Sequence, residues 1–116
     1  MKSYTDLEQS ERLAKILPLE SADMRYHTIS HYDPSPCYEI VYTVEFGKAK
    51  DKDIPCWSLA VLLDILLCPS LHKTFGGWRC DSYNKEGTSY ILGKPSDNPV
   101  DACVDMIIKL KELNLL

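Results

Sequence analysis

The sequence predicts an α+β domain of two layers, in which helices cover one face of a mainly antiparallel sheet. Two amphipathic segments near the ends of the chain and one apolar segment between them indicate three helices. Two pairs of alternating segments, each joined by turn residues, indicate two hairpins. The predicted order is α-β-β-α-β-β-α, and residues 1–116 form a single domain because so short a chain leaves little material for a second core.

The first helix is predicted between Thr5 and Pro18. Thr5 and Glu8 have the spacing of a capping box, in which each side chain binds a free backbone N–H of the first turn. Proline ends the pattern because it cannot continue a helix. The apolar face carries Leu7, Leu13, Ala14, Ile16 and Leu17.

Two strands, Asp23–Ile29 and Cys37–Phe46, are predicted to form the first hairpin around the turn Asp33–Pro36. The second strand alternates, and one of its faces is expected to contact the core: Tyr38, Ile40, Tyr42, Val44 and Phe46. Residues 47–53 follow with charges of alternating sign, which is typical of a solvated surface loop.

The second helix is predicted to begin at Pro55 and to end near Leu67, before Pro69. Leucine and isoleucine surround it on all sides: Leu59, Leu62, Leu63, Ile65, Leu66 and Leu67. A helix that is apolar all round must be buried on most of its surface. We therefore expect either a central helix or a helix covered by a partner subunit.

The second hairpin is predicted from Trp78–Tyr83 and Thr88–Leu92, joined by a loop in which Gly87 supplies a positive φ. The third helix begins with Asn98 as the N-cap and Pro99 in the first turn. Its core stripe comprises Val100, Cys103, Val104, Ile107 and Leu110.

The charge balance excludes several classes of protein. Thirteen basic and 17 acidic residues give a net charge of -4, which disfavours a nucleic-acid binder that relies on bulk electrostatics. The N-terminus lacks the apolar segment of a signal peptide. The longest apolar run, residues 57–68, is interrupted by Asp64 and is shorter than the roughly 20 residues that span a bilayer. We expect a cytoplasmic protein with no membrane contact, whose five cysteines remain thiols.

A zinc site is the first chemical possibility, because His27, His31, Asp33 and Cys37 lie close together in the sequence. Their spacing matches no zinc finger, and the chain contains no C-x-x-C pair. The preferred interpretation is a group of polar residues at a strand end and a turn, so neither a metal nor a cofactor is predicted.

The other cysteines do not form a recognisable catalytic motif. Cys56 and Cys68 would lie at opposite ends of the second helix, about 18 Å apart, and so could not pair. Cys80 or Cys56 could form a catalytic pair with His72, but no flanking signature supports a nucleophile. Gly76-Gly77 alone does not make a phosphate-binding loop. No catalytic residue is predicted.

An interaction surface is indicated by the second hairpin. In Trp78–Tyr83, Trp78, Cys80 and Ser82 face one way, while Arg79, Asp81 and Tyr83 face the other. Trp, Tyr and Arg are enriched at binding hot spots; the alternative is a core Trp78 with a surface ion pair between Arg79 and Asp81. The predicted interaction surface comprises Trp57, Asp64, Trp78, Arg79, Asp81 and Tyr83.

Five segments, residues 54–59, 62–64, 78–83, 97–103 and 106–107, resemble a family of small uncharacterised proteins of Bacteroidetes-type gut bacteria, often met in prophage or other mobile-element regions. The likeness extends over most of the chain from Leu17 onward. The resemblance implies a bacterial cytosolic or phage-related setting, and it transfers no catalytic residue.

Two functions are compatible with these patterns. The first is a non-enzymatic interaction protein that binds a protein partner or forms a homo-oligomer, as the apolar second helix and the Trp/Arg/Tyr hairpin suggest. The alternative is a small enzyme or ligand-binding domain with a pocket near Trp57, Asp64 and Trp78, which would contain a carboxylate or thiol with a strongly shifted pKa.

Overall fold

The chain has an α+β fold, as predicted. The computed structural model describes residues 2–29, 41–50 and 52–116. The described residues form three helices and two three-stranded antiparallel sheets. In chain order the elements are α1 (Leu7–Ala14), a 3-10 turn (Leu19–Ser21), β1 (Met24–Ile29), β2 (Val41–Phe46), β3 (Ile54–Cys56), α2 (Leu59–Ile65), β4 (Leu67–Thr74), β5 (Gly77–Tyr83), β6 (Tyr90–Ile91) and α3 (Pro99–Glu112).

The strands divide into two sheets instead of one, with the orders β2-β1-β3 and β4-β5-β6. Both predicted hairpins are present, since β1 pairs with β2 and β5 pairs with β6. Each gains a strand that the sequence did not predict: β3 pairs with β1, and β4 pairs with β5. The predicted turn at residues 33–36 and the start of the strand, residues 37–40, lie outside the described residues.

Helix α1 is capped by Asp6 and not by Thr5. The Asp6 carboxylate accepts from the Gln9 N–H at 2.8 Å, and the Gln9 side chain accepts from the Asp6 N–H at 3.1 Å, so the capping box lies one residue later than predicted. Thr5 is buried instead, and its hydroxyl lies 2.7 Å from the Ser10 hydroxyl and accepts from the Trp57 N–H. Thr5 therefore fastens the N-terminal segment to the core.

Helix α2 is shorter than predicted at both ends. Pro55 lies in β3, and the helix begins after Ser58, whose side chain caps it and donates to Asp23 at 2.6 Å. At the other end, the ring of Pro69 would clash with the carbonyl of Ile65 in a continuing helix. The chain therefore leaves the helix after Ile65 and enters β4 at Leu67.

Helix α2 is not the central helix that was one of the two predicted alternatives; the other alternative, cover by a partner subunit, stays a prediction. Within α2 only Leu62 is fully buried, whereas Ala60 and Asp64 are exposed. Its other apolar side chains are half-buried against the core. The helix is thus a two-turn surface element, and its composition does not by itself require a partner subunit.

Strand β2 does not present its aromatic face to the core as predicted. Phe46, at the end of that face, is 79% exposed, and Tyr42 and Val44 are only partly buried. The first sheet contacts α1 through β3, and its buried side chains include Met24 of β1 and Pro55 and Cys56 of β3. The β1–β2 hairpin is therefore peripheral.

The core is built around α3, whose predicted stripe is confirmed. Its buried side chains are Pro99, Val100, Ala102, Cys103, Val104, Met106, Ile107 and Leu110. Helix α3 packs against β5 and α2 and contacts α1. Full burial of a side chain such as Ile107 contributes about 1.5–3 kcal/mol, so α3 is the main source of stability. None of the helices formed by the described residues is both long and apolar enough to cross a membrane.

A polar clasp joins the starts of α1 and α3. The Lys2 ammonium donates to Asp6 at 2.9 Å, to Gln9 at 2.7 Å and to Asp101 at 2.8 Å. Burial alone would raise the pKa of Asp101, but the hydrogen bonds from Lys2 and Gln9 outweigh it and hold that pKa below its ordinary value.

Because the pKa of Asp101 is lower in the folded chain, its contribution to stability is complete above about pH 4 and is lost as the pH falls through the lowered pKa. We expect Asp101→Asn to reduce the free energy of unfolding at pH 7 by about 1 kcal/mol and to reduce the loss of stability between neutral and acid pH. Urea unfolding as a function of pH measures both. Asp97→Asn, an exposed carboxylate outside the clasp, is the control, and equal behaviour of the two variants would contradict this role.

Residues 93–96 run close against β5, and glycines make this approach possible. A Cβ on Gly93 would collide with the Cys80 carbonyl, and one on Gly77, which has a φ of +129°, would collide with the Ser96 carbonyl. The Trp78 and Ser96 backbones exchange two hydrogen bonds of 2.7 Å across this contact.

Gly93→Ala is therefore expected to lower the free energy of unfolding by about 1–3 kcal/mol, because backbone must move to admit the methyl group. Gly76→Ala is the matched control, since its Cβ would make ordinary 3.4 Å contacts with Pro95 at a backbone conformation open to alanine. Chemical denaturation compares the two. A Gly93→Ala variant as stable as Gly76→Ala would contradict the close approach of Gly93 to the Cys80 carbonyl.

Candidate functional site

The outer face of the second sheet carries the densest group of polar side chains predicted from the sequence. Arg79, Asp81 and Tyr83 lie on this face, while Cys80 and Ser82 are buried on the side of α3, as the alternation predicted. Strand β4 adds two further polar side chains to the outer face, because Ser70 pairs with Asp81 and His72 pairs with Arg79.

Asp81 is the centre of this group, and only 3% of its side chain is exposed. Its carboxylate accepts from an Arg79 guanidinium nitrogen at 3.2 Å and from the Gly93 N–H at 2.9 Å. His72 approaches the same carboxylate at 4.0 Å. Burying a carboxylate is costly unless it is paired, so Asp81 fixes Arg79 on the sheet and draws residues 93–96 towards β5.

Ser70, His72 and Asp81 have the residue types of a hydrolytic triad but not its geometry. The Ser70 hydroxyl lies 3.4 Å from Nδ1 of His72, and the 4.0 Å between His72 Nε2 and Asp81 is too long for a hydrogen bond. The carboxylate is already engaged by Arg79 and Gly93. This arrangement does not support activation of the Ser70 hydroxyl as a nucleophile.

The proposed Cys/His pairs do not form either. Cys80 is fully buried on the α3 side of β5, whereas His72 lies on the outer face, and Cys56 is buried in the first sheet. Cys80 instead lies beside Cys103 of α3, and the neighbouring thiol together with burial raises the pKa of the Cys103 thiol. The four cysteines of the described residues are free thiols, of which Cys68 alone is exposed. The other three, Cys56, Cys80 and Cys103, are small buried side chains.

An apolar row crosses the outer face beside the polar group. Leu67 pairs with Tyr83, and Tyr83 pairs with Tyr90, so the three side chains lie side by side on three strands. They are 41%, 38% and 44% exposed, and the two tyrosine rings pack with centroids 4.9 Å apart. We call Leu67, Tyr83 and Tyr90 the apolar row. Only Tyr83 of this row was singled out from the sequence, because the other two are brought to it by strand pairing.

The remaining predicted site residues lie apart from this face. Trp57 has no exposed surface, and its indole donates to the Ser21 hydroxyl at 3.0 Å. Asp64 is exposed on α2, and Trp78 is half-buried against the core. Because Trp57 is fully buried, its side chain can neither line an open pocket nor contact a partner in this arrangement. Trp57 therefore does not contribute to the pocket that was expected near Trp57, Asp64 and Trp78.

A cavity of about 380 Å³ lies elsewhere, lined by Lys2, Ser3, Tyr4, Asp6 and Tyr26. The sequence did not predict it, because the N-terminal segment and β1 are brought together only in the fold. Its residues nevertheless include a carboxylate and two aromatic rings.

Of the candidate zinc ligands, only His27 lies among the described residues. Its Nδ1 is 2.8 Å from the Asp53 carboxylate, which also accepts from Arg25 at 3.1 Å. Hydrogen bonds from the Lys50 backbone and His27 hold the pKa of Asp53 below its ordinary value. Within residues 2–29, 41–50 and 52–116, no three His, Cys, Asp or Glu side chains form a group that could hold a metal ion.

Comparison of the chain with protein-family models, with curated proteins and with solved structures finds no match.

Asp81→Ala is expected to reduce the free energy of unfolding by about 1–3 kcal/mol, because it leaves the Gly93 N–H without an acceptor and Arg79 without its partner. Asp81→Asn retains an acceptor oxygen and should lose only about half as much. Urea denaturation of both variants measures the difference. Unchanged stability of Asp81→Ala would show that the carboxylate does not anchor this face.

Proposed function

We propose that the chain is a non-enzymatic protein-interaction domain that self-associates through the outer face of its second sheet. The observation that carries the proposal is the apolar row, where Leu67, Tyr83 and Tyr90 lie contiguously and are all about two-fifths exposed. Tyrosine and arginine are among the residue types that are enriched at binding hot spots, and Arg79 lies on the same face of β5 as Tyr83, with Asp81 between them.

The charge of this face suits contact with a second copy of the chain. Arg79 and Asp81 pair with each other and cancel in charge. Two copies that carry a net charge of -4 each can thus approach at this face without a local like-charge penalty. A two-fold interface places the same patch on both subunits, and the Leu67 and tyrosine side chains of one row can pack between those of the other.

The proposed setting is the cytoplasm of a bacterium, in association with a prophage or another mobile element. The resemblance of residues 54–59, 78–83 and 97–103 to small proteins of Bacteroidetes-type bacteria supports this setting. The retention of free thiols in the described residues is compatible with a reducing compartment.

A second candidate function is the binding of a small ligand. It is favoured by the cavity between the N-terminal segment and β1, whose volume of about 380 Å³ falls in the range of small-molecule sites. This cavity is lined by other residues than those of the apolar row, so the two functions do not exclude each other.

Sedimentation at protein concentrations up to about 300 µM should show a concentration-dependent dimer, and Tyr83→Ser should weaken its association by about tenfold or more. Phe46→Ser is the matched control, because it removes an exposed aromatic ring from the first sheet. Purely monomeric wild-type protein, or equal weakening by both substitutions, would contradict self-association through this face.

A further inference from the structure

The N-terminal segment is held in place as one wall of the cavity. The Thr5 N–H donates to the Trp57 carbonyl at 3.0 Å, and the Leu59 N–H donates to the Ser3 carbonyl at 3.0 Å. Residues on both sides of Tyr4 are therefore fixed to the chain around β3 and α2. The cavity is preformed, so binding of a ligand would not require a loss of conformational entropy in the N-terminal segment.

The single ammonium of the cavity is not available to an anionic ligand. The three donors of Lys2 point at Asp6, Gln9 and Asp101, at 2.7–2.9 Å. The hydrogen bonds to its two carboxylates raise the pKa of Lys2 despite its partial burial, so it stays charged. Asp101 does not line the cavity, but it pairs with Lys2 as Asp6 does, so two carboxylates surround one ammonium at its edge. This ion group has a net negative charge, which favours a cation.

The rings of Tyr26 and Tyr4 form the aromatic part of the cavity lining. The Tyr26 hydroxyl donates to the Thr5 carbonyl at 2.7 Å, and its ring packs edge-on with Tyr42 at a centroid distance of 6.4 Å. Burial raises the pKa of Tyr26, so its phenol remains neutral. Tyr4, the second aromatic wall, is partly exposed. The face of each ring carries partial negative charge.

We propose that this cavity binds a small organic ammonium ion of the size of choline, held by the Tyr4 and Tyr26 rings and by the Asp6 carboxylate. An ammonium group over a tyrosine face is attracted by the ring quadrupole, and quaternary ammonium groups are recognised in this way. The proposal uses no residue of the apolar row, so it can fail or hold independently of self-association.

The first experiment titrates the intact chain with choline and with 3,3-dimethylbutan-1-ol, a neutral compound of the same shape, and follows the backbone amides of residues 2–6 by NMR. Choline should bind saturably with a Kd of about 1–10 mM, and the neutral alcohol should bind at least about tenfold more weakly. Equal binding of the two compounds, or no saturable response to choline up to about 50 mM, would overturn the proposal.

Variants then test the named residues. Tyr4→Phe keeps the ring and should change the Kd by less than about twofold, whereas Tyr4→Leu should weaken binding at least about fivefold. Asp6→Asn keeps a good helix cap and removes the charge, and it should weaken choline binding about threefold or more. A Tyr4→Leu variant that is folded by NMR and binds choline as well as the wild type would refute the aromatic contact.

Glycerophosphocholine distinguishes a free ion from the headgroup of a lipid, since both carry the same ammonium group. Its phosphodiester would meet the negative ion group that contains Asp6 and Asp101, so it should bind more weakly than choline. Tighter binding of glycerophosphocholine than of choline would refute the assignment to a free ion.

Discussion

The burial of α3 is the constraint on which the rest of the structure depends. A 14-residue helix with one broad apolar face needs cover from several elements, and β5, α2 and α1 supply it. Because β5 packs against α3, its Cys80 and Ser82 side chains lie on the core side of the sheet. The Arg79, Asp81 and Tyr83 side chains therefore lie on the other side. On that other side the side chains of Leu67, Tyr83 and Tyr90 are 41%, 38% and 44% exposed, and this is where we place the interaction surface.

The parts of the fold that depend on local patterns were predictable from the sequence. The stripe of α3 from Val100 to Leu110 and its Asn98 cap follow from periodicity and capping chemistry, and the structure confirms them. The errors arose where tertiary contacts outweigh local preference. Pro55 suits the start of a helix, yet pairing with Arg25 of β1 places it in a strand, and the leucines around Leu67 are divided between a helix and a strand by Pro69.

The candidate sites were also only partly predictable, because they depend on tertiary contacts as well as on local sequence patterns. Arg79, Asp81 and Tyr83 could be named from one strand, but His72, Leu67 and Tyr90 join them through pairing registers that no local pattern reveals. The cavity is a stronger example, because Tyr4 and Tyr26 are separated by 21 intervening residues and meet through the N-terminal segment. Lys2 gave no signal in the sequence, yet it joins the starts of α1 and α3.

The central claim, that the chain self-associates through the outer face of its second sheet, is tested most directly by hydrogen exchange at two protein concentrations. The account predicts that raising the concentration from about 5 µM to about 300 µM slows exchange in β4, β5 and β6 and leaves the first sheet unchanged. Slower exchange confined to the first sheet, or no change in either sheet, would contradict it.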